Sequence, residues 1–195
     1  MGGHTVKADR KLMPGLIGTG VSMTLGFIGP CGFNTSHTHP HSSQINVIVE
    51  AENAVDLIDP NTLVKFQMTV FPQGSTHIEW NPDRDPAVFV AGFVSEDPGI
   101  QQSAQTLFKL PPEVVRADLG VETLNGESID EFEANLPANV ALGVRSCLKK
   151  CGIPVKTPNQ EGASGGTTLG DTSIAPSAYP SDSPTTYPPG SPSAV

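Results

Sequence analysis

The chain is poor in positive charge, in long apolar runs and in aromatic residues. Eleven Lys and Arg stand against twenty Asp and Glu in 195 residues, a net charge of −9. The nearest approach to a cationic cluster is Lys149-Lys150. A phosphate backbone is gripped by grouped cations, so nucleic acid and anionic membrane surfaces are excluded as partners. No apolar run approaches the roughly 18 residues that cross a bilayer. Residues 1–10 are polar and hold no apolar core of signal-peptide type, which taken alone leans toward the cytoplasm. A Gly-rich phosphate loop and a Gly-x-Ser-x-Gly nucleophile turn are both missing.

Cysteine is scarce and odd in number: Cys31, Cys147 and Cys151. Three thiols cannot all pair within one chain, and three alone do not complete a zinc site without a fourth ligand nearby. Cys147 and Cys151 lie four apart. On a helix such side chains are about 5–6 Å apart at Cβ, too far for a bridge without distortion. One bridge with a leftover thiol, and three free thiols, both remain open.

Nineteen Pro and twenty Gly exceed ordinary usage of roughly 5% and 7% and favour turns over long helices. Residues 21–27, 45–49, 66–71 and 87–93 read as strands, from alternation or β-branched content. Gly29-Pro30, Asp59-Pro60-Asn61, Pro72-Gln73-Gly74 and Asn81-Pro82-Asp83 are turns between them. Short strands at this spacing indicate an antiparallel sandwich or barrel. Pro112-Glu113-Val114-Val115 up to Gly120 predicts a short helix, Ser128-Ile129-Asp130-Glu131 has capping-box spacing, and residues 138–150 read as a further helix. From 157 to 195, 25 of 39 residues are Pro, Gly, Ser or Thr, too little apolar surface to offset ordering entropy. The expected plan is mainly β: a flexible N-terminus over 1–10, a domain over 11–153 ending in helices, and a disordered tail over 154–195.

Histidine carries the chemical signal. His37, His39 and His41 fall within five positions, and His77 follows a later turn. Residues i and i+2 of a strand share a face, so His37 and His39 can converge on one ion, with His77 and Gln44 as donors from elsewhere; transition ions accept imidazole nitrogen and amide oxygen. On spacing alone, a His-x-His pair is equally two surface histidines in a turn, and His77 a structural residue. Pro40 breaks the strand geometry, so His41 is expected to face water. Glu79 is a same-face neighbour of His77, either an acid standing behind the ligands or part of a solvated edge; Asn81 is first a turn residue.

Gly32-Phe33-Asn34-Thr35-Ser36-His37-Thr38-His39-Pro40-His41-Ser42-Ser43-Gln44 resembles the first motif of the cupin superfamily, and within it of the germins. Phe71-Pro72-Gln73-Gly74-Ser75-Thr76-His77-Ile78-Glu79-Trp80-Asn81 is similar to the second, Pro-x-Gly-x-x-His-x-x-x-Asn. The likeness runs over 11–153 and is strongest to fungal germin-like, spherulin-type proteins. It implies a single jelly-roll β-barrel, closed so that short strands stay soluble, and a manganese ion held by three His and one Glu. It also implies homo-oligomers, trimers or hexamers, and a secreted or wall-associated location. Carried onto this chain, the ligands are His37, His39 and His77, with Gln44 at the Glu position; from their places after His77 rather than from the resemblance, Glu79 and Asn81 are expected behind them.

Departures from the motifs bear on function. Gln44 keeps an oxygen that can ligate but removes one negative charge, which lowers metal affinity and makes oxidation to Mn(III) harder. Iron is the alternative metal, since some cupins hold it with three His and no carboxylate. Cys31, Ala51 and Phe66 stand where the motifs have Gly, and the segment between 51 and 66 is short. The resemblance also implies a partner for Cys31 near Arg84, where this chain has no cysteine, leaving Cys31 free. Asn34-Thr35-Ser36 fits a glycosylation sequon, but a sugar there would crowd the site. The expected function is a manganese-binding, extracellular protein with weak or absent redox activity, with a small-molecule substrate in view. The alternatives are a manganese oxidoreductase of oxalate oxidase or superoxide dismutase type, or a three-His iron dioxygenase.

Overall fold

In the computed structural model, residues 2–51, 54–56, 61–124, 126–137, 139–142 and 144–154 are described; the expected tail lies outside them, apart from Pro154. Strands come first: β1 Gly3–Ala8, β2 Ser22–Ile28, β3 Gly32–Thr38, β4 Gln44–Glu50, β5 Ala54–Asp56, β6 Asn61–Leu63, β7 Met68–Phe71, β8 His77–Trp80, β9 Ala87–Phe93 and β10 Gln101–Gln102. Helices α1 Ser103–Leu107, α2 Pro112–Leu119 and α3 Ile129–Ala134 follow, then β11 Val140–Leu142 and α4 Arg145–Cys151.

Two antiparallel sheets result, ordered β1-β2-β9-β4-β7 and β10-β3-β8-β5-β6, with β11 also on β3. Residues of both sheets, Phe89, Ala91, Phe93 and Gln44 from one and Asn34, His37 and Glu79 from the other, line one cavity. The sheets therefore share an interior. Part of it is apolar, built by Ile28, Ile48, Leu63, Phe89, Ala91 and Phe93. The remainder is polar, with Asn34, His37, His39, Gln44, Asn46, His77 and Glu79 all buried. A second small core joins α4 to the start of β3 through Cys31, Cys147 and Leu148, and a third, Phe108, Val115 and Ile129, binds the helices.

Three expectations are corrected. The first ten residues are not a flexible lead-in: Gly3 to Ala8 pair in full register with Ile28 to Met23. Pairing with β2 satisfies the backbone along one edge of β1, and a strand of alternating exposure needs no run of apolar residues. The helix expected over 138–150 is a strand followed by a helix. Val140, Ala141 and Leu142 pair with Asn34, Phe33 and Gly32, and helix begins only at Arg145; an open edge of β3 outweighed helix propensity. Finally, Cys31 is not free but bonded to Cys147, closing a span of 116 residues, and Cys151 is the free thiol. Its partner comes from α4, not from the neighbourhood of Arg84, because the helix packs onto the turn that precedes β3.

Two helix starts match the reading. α2 starts at Pro112 and stops at Gly120 in left-handed conformation, φ 67°. Ser128 and Glu131 form a reciprocal capping box. The strand expected over 66–71 begins only at Met68, because Phe66 turns the chain with φ 69°.

Candidate metal centre

The histidine strand owes its geometry to an irregularity. In the β3–β8 ladder, Asn34 opposes Glu79 and His37 opposes His77, so three steps on β3 span two on β8. This bulge changes the phase of alternation: Asn34 and His37 both turn inward although they are an odd number of residues apart. Thr35, inside the bulge, gives its carbonyl to His37 Nδ1 at 2.7 Å.

Each of the three rings is fixed in the same way. His39 Nδ1 lies 2.6 Å from the carbonyl of Gly99, a left-handed residue (φ 65°) whose conformation aims that oxygen inward. His77 Nδ1 lies 3.1 Å from the Ser75 carbonyl, which the Pro72–Ser75 turn positions. A backbone carbonyl only accepts, so Nδ1 carries a proton in all three rings, and in the neutral ring Nε2 is then the nitrogen with the lone pair. Such an outer hydrogen bond is the usual partner of a metal-ligating imidazole. Phe71 stacks on His77 with centroids 4.0 Å apart, and Phe93 meets the edge of His39 at 4.6 Å, which limits ring rotation.

One ligand atom from each of His37, His39 and His77 lies within 4.8 Å of the others, all three residues being buried. Gln44, at the start of β4, places Oε1 3.1 Å from His77 Nε2. Lone pairs thus meet with no proton between them, an arrangement that a cation relieves. Burial lowers His39 to about 4, with His37 and His77 reinforcing the effect, and burial lowers His77 as well. Those two rings are neutral at pH 7, the form a metal binds.

Glu79 is buried and accepts from Asn34 Nδ2 at 2.8 Å, Asn46 Nδ2 at 2.9 Å and Gln44 Nε2 at 3.2 Å. Burial alone would raise its pKa. Electrostatic interaction with His37 and His77, with the bonds from Asn34 and Asn46, outweighs that and holds it below the ordinary value. Asn46 and Asn34 went unnoticed in the sequence: an Asn in a β-branched run, or in a sequon, gives no sign of facing inward, although Asn46 follows Gln44 at the same-face spacing. Because Asn34 is buried and bonded to Glu79, the sequon is no acceptor for a sugar.

The remaining candidates lie apart. Asn81 gives its Nδ2 to the carbonyls of Ile28, Gly29 and Asp85 and takes the Asp83 amide on Oδ1, which ties the turn beyond β8 to the turn between β2 and β3. His41 is exposed, with Nδ1 3.1 Å from the Asp97 carbonyl.

The family model described as Cupin matches residues 1–125. Among similar proteins is Spherulin-1A of Physarum polycephalum, 40% identical over 160 residues, covering 78% of this chain and 64% of that protein. Germin-like protein 1-3 of Oryza sativa subsp. japonica is 33% identical over 118 residues, covering 57% of this chain and 53% of its own. The chain thus spans less than two thirds of these relatives. Of solved structures, a recombinant oxalate oxidase in complex with glycolate superposes with a TM-score of 0.56 at 27% identity, over 62% of this chain and 67% of that one. With two antiparallel sheets around a buried three-histidine cluster and a family match over most of its length, the chain belongs to the cupin family, with spherulins and germin-like proteins as its relatives.

Proposed function

We propose that this protein is a germin-like cupin whose work is to hold one manganese ion, through Nε2 of His37, His39 and His77 and the amide oxygen of Gln44. The observation that carries this reading is the common tautomer: three Nδ1–H groups are spent on backbone carbonyls, so the ring nitrogens left over are bases gathered in one place. Three nitrogens and one oxygen form a mixed donor set suited to manganese or iron among divalent ions. When bound, the ion would supply Lewis acidity; the neutral Gln44 leaves its charge less compensated than a carboxylate ligand would, which disfavours the higher oxidation state. That charge count supports a metal-binding role with weak redox activity, and the likeness to germin-like proteins supports a place outside the cell or at the wall.

The cavity beside the histidines has room for about one water as it stands, and the likeness to an oxalate oxidase supports a small-molecule substrate. Among the described residues Asn34 Oδ1 and Asn139 Oδ1 have no partner and are buried, and both residues line the cavity; they would accept from a hydroxyl or a water. Metal analysis of purified protein and calorimetric titration with Mn²⁺ and Fe²⁺ test the reading. One equivalent of manganese, lost in His37→Ala, is expected; binding unaffected by that change would refute it, and preference for iron would move the assignment to a three-His iron protein. A manganese oxidoreductase is the second reading, favoured by the likeness to oxalate oxidase and by the carboxylate of Glu79 3.8 Å from His77 Nε2. Turnover of oxalate or superoxide by the manganese-loaded protein would establish it.

A further inference from the structure

We infer that Glu79, with Asn46 and Asn34, is a positioning residue that turns the amide of Gln44 so that its oxygen faces the imidazoles, and that it supplies the negative charge that Gln44 lacks. This rests on the metal-binding reading above. Gln44 Nε2 donates to Asn46 Oδ1 at 2.6 Å and to Glu79 Oε1 at 3.2 Å. Asn46 cannot reverse its own amide, because its Nδ2 donates to Glu79 Oε1 at 2.9 Å. Reversing Gln44 would set its oxygen against two acceptors in a buried place, the costly case of unmade hydrogen bonds. One orientation is left, and in it Gln44 Oε1 stands 3.1 Å from His77 Nε2.

The same carboxylate answers the charge question. Glu79 takes three N–H donors on its two oxygens, as a carboxylate does, and its Oε1 lies 3.8 Å from Nε2 of His77, a ring that is neutral at pH 7. A buried anion with neutral partners needs a cation nearby. Its oxygens fall outside the compact histidine set, so Glu79 acts across the Gln44 amide and not as a ligand. A carboxylate at position 44 would, in this setting, meet Glu79 at hydrogen-bond distance, two like charges in a buried space. The exchange of charge between the two positions is therefore a matched pair.

Titration of the metal-free protein with Mn²⁺, beside thermal melts of each metal-free variant, tests this. Glu79→Gln is expected to weaken Mn²⁺ binding by 10- to 100-fold, the range for outer partners of metal ligands. Gln44→Glu alone is expected to lower the melting temperature of the metal-free protein, and Gln44→Glu combined with Glu79→Gln to return both affinity and melting to within a few-fold or a few degrees of wild type. Unchanged affinity in Glu79→Gln, when His37→Ala abolishes binding, overturns the inference and leaves the metal site standing. Binding that survives His37→Ala overturns both. If Glu79→Gln does not fold, the double variant decides: a folded double variant without Mn²⁺ affinity contradicts the proposal.

Discussion

Phe66 and Cys31 are the two described residues other than glycine with positive φ, 69° and 54°, at positions where the cupin motifs have Gly. Left-handed backbone costs a residue with a Cβ about 1–2 kcal/mol, and Phe66, 71% exposed, recovers little by burial. Phe66→Gly is therefore expected to raise stability by about 1 kcal/mol, measured by urea unfolding; a loss of stability would show that the ring packs usefully. His39 sets a pH dependence. Its imidazole has a pKa of about 4 in the fold against 6.5 in model compounds, so between those values the unfolded chain binds a proton that the folded chain does not. Stability should fall as pH drops through that window, by about 3 kcal/mol at most, with His77 and the depressed Glu79 acting in the same direction. Urea unfolding of metal-free protein at pH 7, 5.5 and 4.5 measures it; equal midpoints at all three would contradict the burial argument. At this scale the histidines and Gln44 were legible, because motif spacing shows them. The amide network was not: which way Asn34 and Asn46 face depends on strand phase, which composition does not carry.

Among elements, β3 was the hardest to read and matters most. Its bulge spoils the period-two signal that reveals a half-buried strand, and its polar inner face runs against apolar patterning. By contrast α2 and α3 were legible in advance from Pro112, Gly120 and the Ser128–Glu131 pair, since these signals are local. The Cys31–Cys147 bond ties α4 to the turn before β3, a pairing across 116 residues that no local signal contains. Closing so long a loop contributes about 4–5 kcal/mol through the unfolded chain. Cys151 Sγ, one helical turn past Cys147, sits 3.1 Å from Cys31 Sγ. Cys147→Ser should consequently re-form the bridge as Cys31–Cys151, detected by non-reducing peptide mapping, with most of the stability kept. Cys31→Ser should lose the full contribution. Two free thiols in folded, air-oxidised Cys147→Ser would refute the first of these.

For the molecule as a whole, the sheets reverse ordinary polarity around the site. On β4 the polar Gln44 and Asn46 point inward while Ile45, half exposed, points out opposite Val70 on β7; Met68 and Met23 are similarly open. Apolar patches of this kind mark association surfaces, and we propose that a second copy of the chain covers this one. Light scattering should give a multiple of the chain mass for wild type and a smaller mass for Ile45→Glu with Val70→Glu; a wild-type monomer would contradict it. The β class and its antiparallel order were legible from turns and short strands, whereas the face each strand presents was not, because β-branched runs such as Ile45 to Val49 read as core whichever way they point.

The central claim is that three imidazoles, through Nε2, and the Gln44 oxygen hold one cation. A crystal structure of Mn²⁺-loaded protein, with anomalous diffraction at the manganese edge, tests it most directly. A single peak bonded to Nε2 of His37, His39 and His77 and to Gln44 Oε1 is expected. A peak on other residues, or no peak among these rings at saturating Mn²⁺, would contradict the account.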